Sequence, residues 1–424
     1  MRFTRLDQWL TWQDSLHPQS IDLGLERCTE VAVRMGILDH GYQVISIAGT
    51  NGKGSSAAML DLIYLDAGYS VGTYTSPHLV TYNERIRVNG KYVSDAVLCR
   101  AFEKVDQARG EISLTYFEFG TLAALEIFGQ SELDVAVLEV GLGGRLDAVN
   151  VMDPDVALIT SIGLDHQDWL GNTRELIGRE KAGIMRARHP VVCSDTDPPR
   201  SLIEHAKQLG AELYRAGIDY RCEHGDSSWD WFYGESRIEG LPLTGLLHPA
   251  LIWNGSGVLM VIELLQETLP VPLTVIKSSI GKADVPGRFQ VVQRQVPLIL
   301  DVAHNQPAAE KLVENLRDLE LTGTIHMVIG MLEDKDHAAV LGTLAEITGY
   351  WYLVTLTGSR GLDATILNNS LKSTGIHKEA ALFDTIAEAI SAAEGRVGPA
   401  DAIVITGSFL TVGAAMQYLG LHQG

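Results

Sequence analysis

A glycine-rich run, AGTNGKGSS, occupies residues 48–56 and separates two stretches of different periodicity. The preceding QVISIA (43–48) fits a buried strand, and residues 51–67 carry apolar side chains at helical spacing. A strand, a glycine turn and a helix in this order form the repeating unit of parallel α/β sheets. Glycines let backbone N–H groups curl around a phosphate at the helix N-terminus, and Lys53 adds a mobile positive charge. The run therefore predicts a nucleotide triphosphate loop.

The loop departs from the strict Walker spacing, because Gly49 stands only three residues before Gly52 and Gly54 separates Lys53 from Ser55. A plain glycine-rich turn is the alternative interpretation. The chain has no Asn-Lys dipeptide, with which the guanine-reading motif of GTPases begins, so adenine is the favoured base. The residues that we expect to contact ATP here are Thr50, Asn51, Gly52, Lys53, Gly54 and Ser55.

Near-continuous apolar runs at 134–140 and 156–162 fit strands that are covered on both faces, as in a parallel sheet. A second alternating series of strands and helices begins at about residue 297, after a Pro-Gly pair at 286–287 that is typical of a junction. Residues 215–245 are less regular and fit strands and loops of uncertain order. The sequence therefore predicts an α/β protein with a domain at 1–285 and a smaller Rossmann-like α/β domain at 286–424.

Polar side chains follow the strands of the first series. Glu139 ends one strand and is followed by GLGGRLD, and the next strand ends in SIGLDH, which includes His166. Carboxylates at the carboxyl ends of parallel strands, beside a phosphate loop, are suited to holding Mg²⁺. Taken singly, Glu139 could be a helix-capping acid and His166 a packed surface histidine. Their repetition over neighbouring strand ends favours a metal site. The glycines at 141, 143 and 144 do not have the spacing of a dinucleotide fingerprint.

Charge and cysteine content exclude several other classes of protein. The chain has 33 Lys and Arg against 53 Asp and Glu, a formal net charge of −20, which is the wrong sign for a nucleic-acid binder. An anionic substrate would have to be held by local devices such as helix N-termini, a few cations or metal ions. The four cysteines have no zinc-site spacing. With no signal-peptide pattern and no long uncharged apolar stretch, we expect a cytoplasmic protein without a membrane partner.

Eight ordered motifs carry a specific resemblance over nearly the whole chain. They are AGTNGKGSS, TSPHLVTYNERI (75–86), LTYFEFGTLAAL (114–125), LEVGLGGRLDAVN (138–150), SIGLDHQDWLG (161–171), GREKAGI (178–184), PGRFQVV (286–292) and LDVAHN (300–305). Together they resemble the folate branch of the Mur ligase superfamily. The resemblance implies a Mur-ligase-like P-loop ATPase domain followed by a glutamate ligase domain.

The same resemblance implies ATP-dependent amide formation. A substrate carboxylate would attack the γ-phosphate to give an acyl phosphate, and the amine of L-glutamate would then displace phosphate. The implied carboxylate substrates are 7,8-dihydropteroate and tetrahydrofolate, with ATP and Mg²⁺, in two metal sites, as cofactors. The acidic net charge would make the metals essential.

The family motifs also imply roles for individual residues. Ser76 and Glu139 would hold one Mg²⁺ and His166 a second. Lys181 matches the position of a carbamylated lysine, in which CO₂ turns a cation into an anion that can orient a metal. From the sequence alone Lys181 is a solvated helix lysine, and only the surrounding motif reverses that interpretation.

The remaining implied residues belong to the pterin, ATP and catalytic sites. The expected pterin-site residues are Ile21, Asp22, Leu23, Thr115, Tyr116, Phe117, Glu118, Leu146, Asp147 and Ala148. The expected further ATP contacts are Asn254, Arg288 and Asp301, and the expected catalytic residues are Lys53, Lys181, Arg288 and His304. Tyr116 and Phe117 fit a core helix equally well, Arg288 could be a linker ion-pair residue, and His304 could be a satisfied loop histidine.

Three alternatives accompany this expectation. A ligase for a UDP-linked cell-wall precursor is weak, because the phosphate loop begins by residue 49 and leaves no room for a uridine-binding domain before it. A folate ligase with only the chain-extending activity remains open. A non-catalytic nucleotide-binding switch belongs to a different class and would show no glutamate-dependent phosphate release. By family similarity we expect a monomer.

Overall fold

The computed structural model describes residues 2–225, 227–243, 252–283, 285–358, 360–375 and 379–421. The chain divides into two compact units. The first unit comprises Met1–His78, Tyr82–Ile162 and Leu170–Ala283, and the second comprises Leu79–Thr81, Gly163–Trp169 and Asp284–Gly424. Among the described helices, none combines the length and the apolar character that a membrane crossing requires.

The first unit is built on an eight-stranded sheet with the order β4-β3-β2-β5-β1-β6-β7-β8. Its strands are β1 (Gln43–Ala48), β2 (Val71–Tyr74), β3 (Ile86–Val88), β4 (Lys91–Tyr92), β5 (Val135–Glu139), β6 (Val156–Ile159), β7 (Pro190–Cys193) and β8 (Glu212–Arg215). The six strands from β2 to β8 pair in parallel, and β3 and β4 extend one edge in antiparallel pairing. The central strand β1 pairs with β5 and β6, so their carboxyl ends share one edge of the sheet.

Helices of the first unit connect and cover these strands. They are α1 (Leu6–Asp14), α2 (Glu26–Met35), α3 (Lys53–Asp66), α4 (Asp95–Arg109), α5 (Tyr116–Gly129), α7 (Arg174–Ala182), α8 (Arg200–Leu209), α9 (Ile252–Leu264) and α10 (Leu273–Ile280), with 3-10 turns at Tyr82–Arg85 and Ala148–Val151. The short α6 (Gln167–Leu170) begins in a segment of the second unit. Strand β5 is buried at every position, which explains its uninterrupted apolar sequence.

The irregular segment at 215–245 forms a separate antiparallel sheet in the order β11-β10-β9. Its strands are β9 (Tyr220–His224), β10 (Ser228–Tyr233) and β11 (Ser236–Pro242). A register shift between Trp229 and Trp231 interrupts the pairing of β10 with β11. Residues 226, 244 and 245 of the segment lie outside the described residues.

The second unit contains a six-stranded sheet with the order β12-β13-β17-β14-β15-β16. Its strands are β12 (Gln290–Gln293), β13 (Pro297–Leu300), β14 (Ile325–Ile329), β15 (Thr348–Val354), β16 (Ala380–Phe383) and β17 (Ala402–Thr406), and its helices are α11 (Gln306–Asp318), α12 (His337–Leu344), α13 (Ala364–Ser373), α14 (Ile386–Glu394) and α15 (Phe409–Leu419). The pairing of β12 with β13 is antiparallel, and the other pairings between these described strands are parallel. Apolar clusters occupy both faces of this sheet, as a parallel α/β unit requires.

The predicted fold class is confirmed: the chain is an α/β protein, and its two main sheets are mainly parallel. The predicted boundary between 285 and 286 stays a prediction. The second unit also takes in residues 79–81 and 163–169, which precede that boundary. Asp165 and His166 therefore lie in the second unit.

Candidate active site

The predicted phosphate loop lies between β1 and α3 and is shaped by two glycines with positive φ. Gly49 has φ +150°, and a Cβ there would lie 1.7 Å from Thr160 Oγ1. Gly52 has φ +93°, and a Cβ there would lie 2.6 Å from both side-chain polar atoms of Asn254. Only glycine fits these positions without a shift of the surroundings. The bare backbone forms a cradle of the kind that an anion can enter.

The loop is held in place by the end of the neighbouring strand β6. Thr50 N donates to Ser161 O at 2.7 Å, and Ser161 Oγ donates to Asn51 O at 3.1 Å. Helix α3 starts at Lys53, and its N-cap residue, Gly52, has no side chain to offer to the N–H groups of the first turn. Those N–H groups and the helix dipole favour a negative charge at this end.

Two lysines converge on the loop. Lys53 Nζ donates to Gly49 O at 3.1 Å and to Thr50 O at 3.2 Å, and Lys181 Nζ donates to Gly49 O at 2.8 Å. Lys181 lies on α7 and is only 4% exposed, so it is not the solvated helix lysine that the local sequence suggests. The structure brings together the two predicted catalytic residues of the first unit.

Asn254 lies on the buried helix α9 with its side chain against Gly52. The side chain is buried, and it packs on the phosphate loop itself. The structure thus brings this predicted ATP contact to the loop across about 200 residues of sequence. Its contact with the adenine base stays a prediction.

Glu139 is the last residue of β5 and is 3% exposed. Its Oε2 accepts a hydrogen bond from Ser76 N at 3.1 Å, and the same oxygen is 3.7 Å from the position of a Cβ on Gly54. The predicted metal residues Ser76 and Glu139 are therefore adjacent, beside the first turn of α3. A buried carboxylate and a serine next to a phosphate loop are a donor set that fits Mg²⁺, which binds through few protein oxygens and keeps several waters. The Ser76–Pro77 peptide bond is cis.

The predicted pterin residues form two groups in the first unit. In one, Thr115 caps α5, and Glu118 completes a capping box by accepting from Thr115 N at 2.7 Å. Arg27 joins this group to the loop before α2, because it donates to Asp22 Oδ2 at 2.6 Å and to Glu118 Oε1 at 3.1 Å. Both carboxylates thus already have protein partners. Ile21 and Leu23 flank Asp22 and are half-buried.

The other pterin group surrounds the glycines after β5. Asp147 accepts from Leu142 N at 2.8 Å and from Val149 N at 3.0 Å, and burial raises the pKa of its carboxyl to about 7. Phe117 packs against Gly141, where a Cβ would lie 2.5 Å from the ring. Leu146 is half-buried and Ala148 is buried.

The aromatic residues at the start of α5 are not simple core residues. Tyr116 and Phe117 are half-buried, whereas the following residues of the helix from Glu118 to Phe128 are buried. The ring of Tyr82 lies 5.7 Å from that of Tyr116, and the Arg85 guanidinium lies 5.6 Å from the Tyr116 centroid. Burial raises the pKa of the Tyr116 phenol above its usual range.

In the second unit, three predicted residues lie around the end of β13. Asp301 accepts from Phe289 N and Ala303 N, both at 2.8 Å, and burial raises the pKa of its carboxyl. The Arg288 guanidinium lies 5.1 Å above the Phe409 ring, and the His304 ring lies 6.0 Å from the same ring. Arg288, Asp301 and His304 thus share one end of the sheet of this unit.

Asp165 is the centre of a charged cluster in the second unit that the sequence did not predict. Its Oδ1 is 2.6 Å from Lys335 Nζ, and its Oδ2 accepts from Asn305 Nδ2 at 2.8 Å and lies 3.4 Å from His304 Nε2. Burial opposes ionisation of Asp165, but the hydrogen bond from His304 and the nearby cations outweigh it and hold the pKa well below its usual range. The neighbouring His166 has φ +50°.

The described residues contain no group of three or more His, Cys, Asp and Glu that could hold a metal by themselves. The predicted ligand set does not depend on such a group, because it includes a serine and a lysine carbamate. Lys335 and Arg27 were not predicted from the sequence. The sequence around Lys335 is the acidic run LEDKD, which follows a strand. Such a run fits a solvated turn equally well, so it did not indicate a function.

The phosphate loop and the buried carboxylate at a strand end are typical of one class of α/β proteins. In that class these two features form a nucleotide-binding site. Family models agree: residues 47–227 match the Mur ligase middle domain, and residues 287–409 match the glutamate ligase domain of Mur ligases. The resemblance to the Mur ligase superfamily that the motifs carry is thereby confirmed.

Similarity to individual proteins extends over the whole chain. The chain is 42% identical over 418 residues to the dihydrofolate synthase/folylpolyglutamate synthase of Escherichia coli K12, which covers 99% of this chain and 96% of that protein. It therefore belongs to the dihydrofolate synthase/folylpolyglutamate synthase family of Mur ligases. Escherichia coli FolC in complex with DHPP and ADP matches with a TM-score of 0.94 at 42% identity, over 99% of this chain and 98% of that one.

A second solved relative carries further ligands. It is a bifunctional folylpolyglutamate synthase/dihydrofolate synthase with Mn, AMPPNP and L-glutamate bound. The match has a TM-score of 0.91 at 42% identity and covers 98% of each chain.

Proposed function

We propose that this protein is an ATP-dependent ligase that adds L-glutamate to 7,8-dihydropteroate, forming dihydrofolate, and to tetrahydrofolate, extending a poly-γ-glutamate chain. The observation that carries the proposal is the convergence of Lys53, Lys181 and the buried Glu139 on one glycine-shaped phosphate loop. The family membership of the chain supports the choice of substrates. Residues 1–285 are the proposed ATP-binding domain, and 286–424 the proposed glutamate ligase domain.

The proposed reaction has two steps. A carboxylate oxygen of the pterin substrate attacks the γ-phosphorus of ATP. This forms an acyl phosphate and releases ADP. The amine of glutamate then attacks the acyl carbon, loses a proton, and releases phosphate as the amide forms. Juxtaposing two anions in an acidic protein requires fixed positive charge at the phosphates. Lys53 and Arg288 supply it, and Asp301 and Asn254 are the proposed contacts for the nucleoside.

The metal residues fit this scheme. Ser76 and Glu139 are proposed to hold one Mg²⁺ and His166 a second, and bound Mg²⁺ neutralises charge on the transferring phosphate. Lys181 is proposed to carry a carbamate, formed when its neutral amine adds CO₂ and loses a proton to solvent. The burial of Lys181 beside the loop supports this, since burial disfavours the ammonium and favours the neutral amine that adds CO₂.

The pterin is proposed to lie between the two groups around Thr115 and Asp147. Aromatic faces of Tyr116 and Phe117 suit a flat heterocycle, and Asp22 and Asp147 suit its amino-pyrimidine donors. Ile21, Leu23, Leu146 and Ala148 would add apolar contacts. Glu118 acts in this proposal mainly by capping α5 and fixing Arg27.

We also propose that the protein works as a monomer in the cytoplasm, with small molecules as its partners. The small ligands named for the solved relatives support the last point. Light scattering on the purified chain measures the oligomeric state. A mass near 46.2 kDa is expected, and a stable multiple of that mass would contradict a monomer. Cell fractionation tests the location, with the chain expected in the cytosolic fraction and recovery elsewhere contradicting it.

A direct test combines the purified protein with ATP, Mg²⁺, L-glutamate and one pterin at a time, and follows phosphate release and product mass. Glutamate-dependent turnover with both dihydropteroate and tetrahydrofolate is expected. Turnover with tetrahydrofolate alone would make the protein a folate-extending enzyme only. Nucleotide binding without glutamate-dependent phosphate release would reject the ligase and favour a nucleotide-binding switch.

A further inference from the structure

The carboxylate of Asp165 forms an ion pair that is almost completely removed from water. The side chains of Asp165 and Lys335 are 9% and 5% exposed, and Lys335 Nζ lies 2.6 Å from Asp165 Oδ1. Asn305 and His304 face the other carboxylate oxygen. Removing one partner of such a buried pair is strongly destabilising, because it leaves an uncompensated charge away from water.

The same carboxylate fixes the backbone of His166. His166 N donates to Asp165 Oδ1 at 2.8 Å, so this oxygen serves both His166 and Lys335. His166 has φ +50°, a left-handed conformation that is strained for a residue other than glycine and persists only when its surroundings hold it. The direction of the His166 side chain thus depends on where Asp165 is kept.

Lys335 is itself firmly placed. It lies in the turn between β14 and α12, where Lys335 N donates to Leu332 O at 3.3 Å. Asp336 caps α12 by accepting from Ala339 N at 3.0 Å, and Asp334 pairs with Arg360 at 2.7 Å. A lysine anchored on both sides can hold a fixed position for the carboxylate that it neutralises.

We propose that Lys335 is a positioning residue that acts through Asp165 to hold His166 in the orientation in which it binds a divalent cation. This inference rests on the proposed function, in which His166 is a metal ligand. Partners one step beyond a ligand commonly change metal affinity by about 10- to 100-fold when they are removed. Lys335 contacts neither ATP nor metal in this role.

The test is Mn²⁺ binding to the full-length protein in the presence of a non-hydrolysable ATP analogue, followed by electron paramagnetic resonance. Lys335→Met is expected to weaken one of two Mn²⁺ sites by about tenfold or more. Lys335→Arg, which keeps the charge, is expected to recover much of the loss. Lys311→Met is the matched control, because Lys311 is a partly exposed lysine of α11 that pairs with the exposed Glu314, and the variant should bind Mn²⁺ like the wild type.

A double-variant comparison separates positioning from other roles. If Lys335 acts through Asp165, the Asp165→Asn/Lys335→Met protein binds Mn²⁺ no more weakly than Asp165→Asn alone. Additive losses, or wild-type Mn²⁺ binding by Lys335→Met, would overturn the proposal. Thermal unfolding is recorded for each variant, and Lys335→Gln, which keeps a hydrogen-bond donor, replaces Lys335→Met if that variant does not fold.

Turnover gives an independent readout. In Lys335→Met the Mg²⁺ concentration for half-maximal rate should rise while the KM for glutamate stays the same, and a change confined to the glutamate KM would contradict the proposal. Glutamate-dependent turnover by the wild type tests the proposed function separately. A wild type without turnover whose Mn²⁺ affinity still depends on Lys335 would reject the function and keep the positioning role.

Discussion

At the scale of single residues, each unit holds charges that have been taken out of water and given partners. Glu139 and Lys181 in the first unit and Asp165 in the second are buried or nearly so, and each has at least one hydrogen bond within 3.1 Å. Buried charges are retained only with such compensation. Charges fixed in advance around a reacting phosphate cost no reorganisation at the moment of transfer.

Lys53→Ala and Glu139→Ala should each lower kcat by about 10²- to 10³-fold, because each removes fixed charge or a metal ligand at the phosphate loop. Stopped-time phosphate assays at saturating substrate measure the rate, and circular dichroism should show an unchanged fold. Lys91→Ala, at an exposed lysine of β4, is the control and should keep its rate. A near-wild-type kcat in either site variant would remove that residue from the proposed mechanism.

The proposed carbamate on Lys181 makes the rate depend on CO₂. Protein held in CO₂-free buffer should lose activity and regain it when bicarbonate is added, because decarboxylation restores a cation where an anion is needed. Initial rates before and after bicarbonate measure this. Lys181→Arg, which cannot form the carbamate, serves as the control and should respond to neither treatment. Equal rates with and without bicarbonate, together with an unmodified intact mass under retained CO₂, would contradict the carbamate.

At the scale of elements, the helix α3 offers a matched pair of glycines. Gly52 before it and Gly68 after it have the same φ of +93°, but a Cβ on Gly52 would meet Asn254 at 2.6 Å, whereas a Cβ on Gly68 would meet nothing within 4 Å. Alanine at either position would take a positive φ that L side chains rarely adopt. At position 52 the new Cβ would also meet the Asn254 side chain at the phosphate loop, whereas at position 68 it would meet nothing within 4 Å.

Gly52→Ala should reduce turnover by on the order of 10²-fold, because a displacement of about 1 Å in the phosphate loop misplaces the reacting phosphate. Gly68→Ala should lower thermal stability without a comparable loss of rate. Calorimetric nucleotide titration and phosphate assays on both variants measure the contrast. Similar rates for the two would mean that the loop tolerates the side chain and that its shape is not the determinant.

The strand β14 carries a buried histidine that makes stability pH-dependent. His326 bonds to the Tyr352 hydroxyl at 3.0 Å, faces Asp401 at 3.3 Å and lies near Tyr350 and Arg396. Burial lowers its pKa below the usual 6.5, although Asp401 opposes this. As pH falls below about 6.5, unfolded chains bind a proton that the folded chain resists, so the free energy of unfolding decreases.

Denaturant titrations at pH 7 and pH 5 measure this effect. In His326→Gln the decrease between the two pH values should be smaller than in the wild type, because the titrating group is gone. His224→Gln, at an exposed histidine, should behave like the wild type. An identical pH dependence in His326→Gln and wild type would show that other groups cause it.

Elements with strong local patterns could be predicted from the sequence, and long-range pairings could not. The apolar run at 43–48 predicted β1 with the bounds that the structure has, because a strand buried by helices leaves a continuous pattern. The short antiparallel strands β9 to β11 lacked such a pattern and carry a register shift. The Asp165–Lys335 pair joins residues 170 positions apart, and no local rule indicates which lysine meets which acid.

At the scale of the whole molecule, an acidic chain of net charge −20 must bind anionic reactants through a few local devices. The proposed devices are a glycine-shaped helix N-terminus with Lys53 in the first unit, and Arg288 beside Asp301 and His304 in the second. The chain is 42% identical over 99% of its length to a dihydrofolate synthase/folylpolyglutamate synthase, which supports the assignment of these residues to one reaction. The proposed reaction depends on activation of the substrate carboxylate by transfer of the γ-phosphoryl group.

Oxygen transfer tests that activation most directly. Dihydropteroate labelled with ¹⁸O in its carboxylate is turned over with ATP, Mg²⁺ and L-glutamate, and the released phosphate is analysed by mass spectrometry. An acyl phosphate predicts one ¹⁸O atom in phosphate for each dihydrofolate formed, since the carboxylate oxygen that attacked phosphorus leaves with it. Amide product accompanied by unlabelled phosphate would contradict the account.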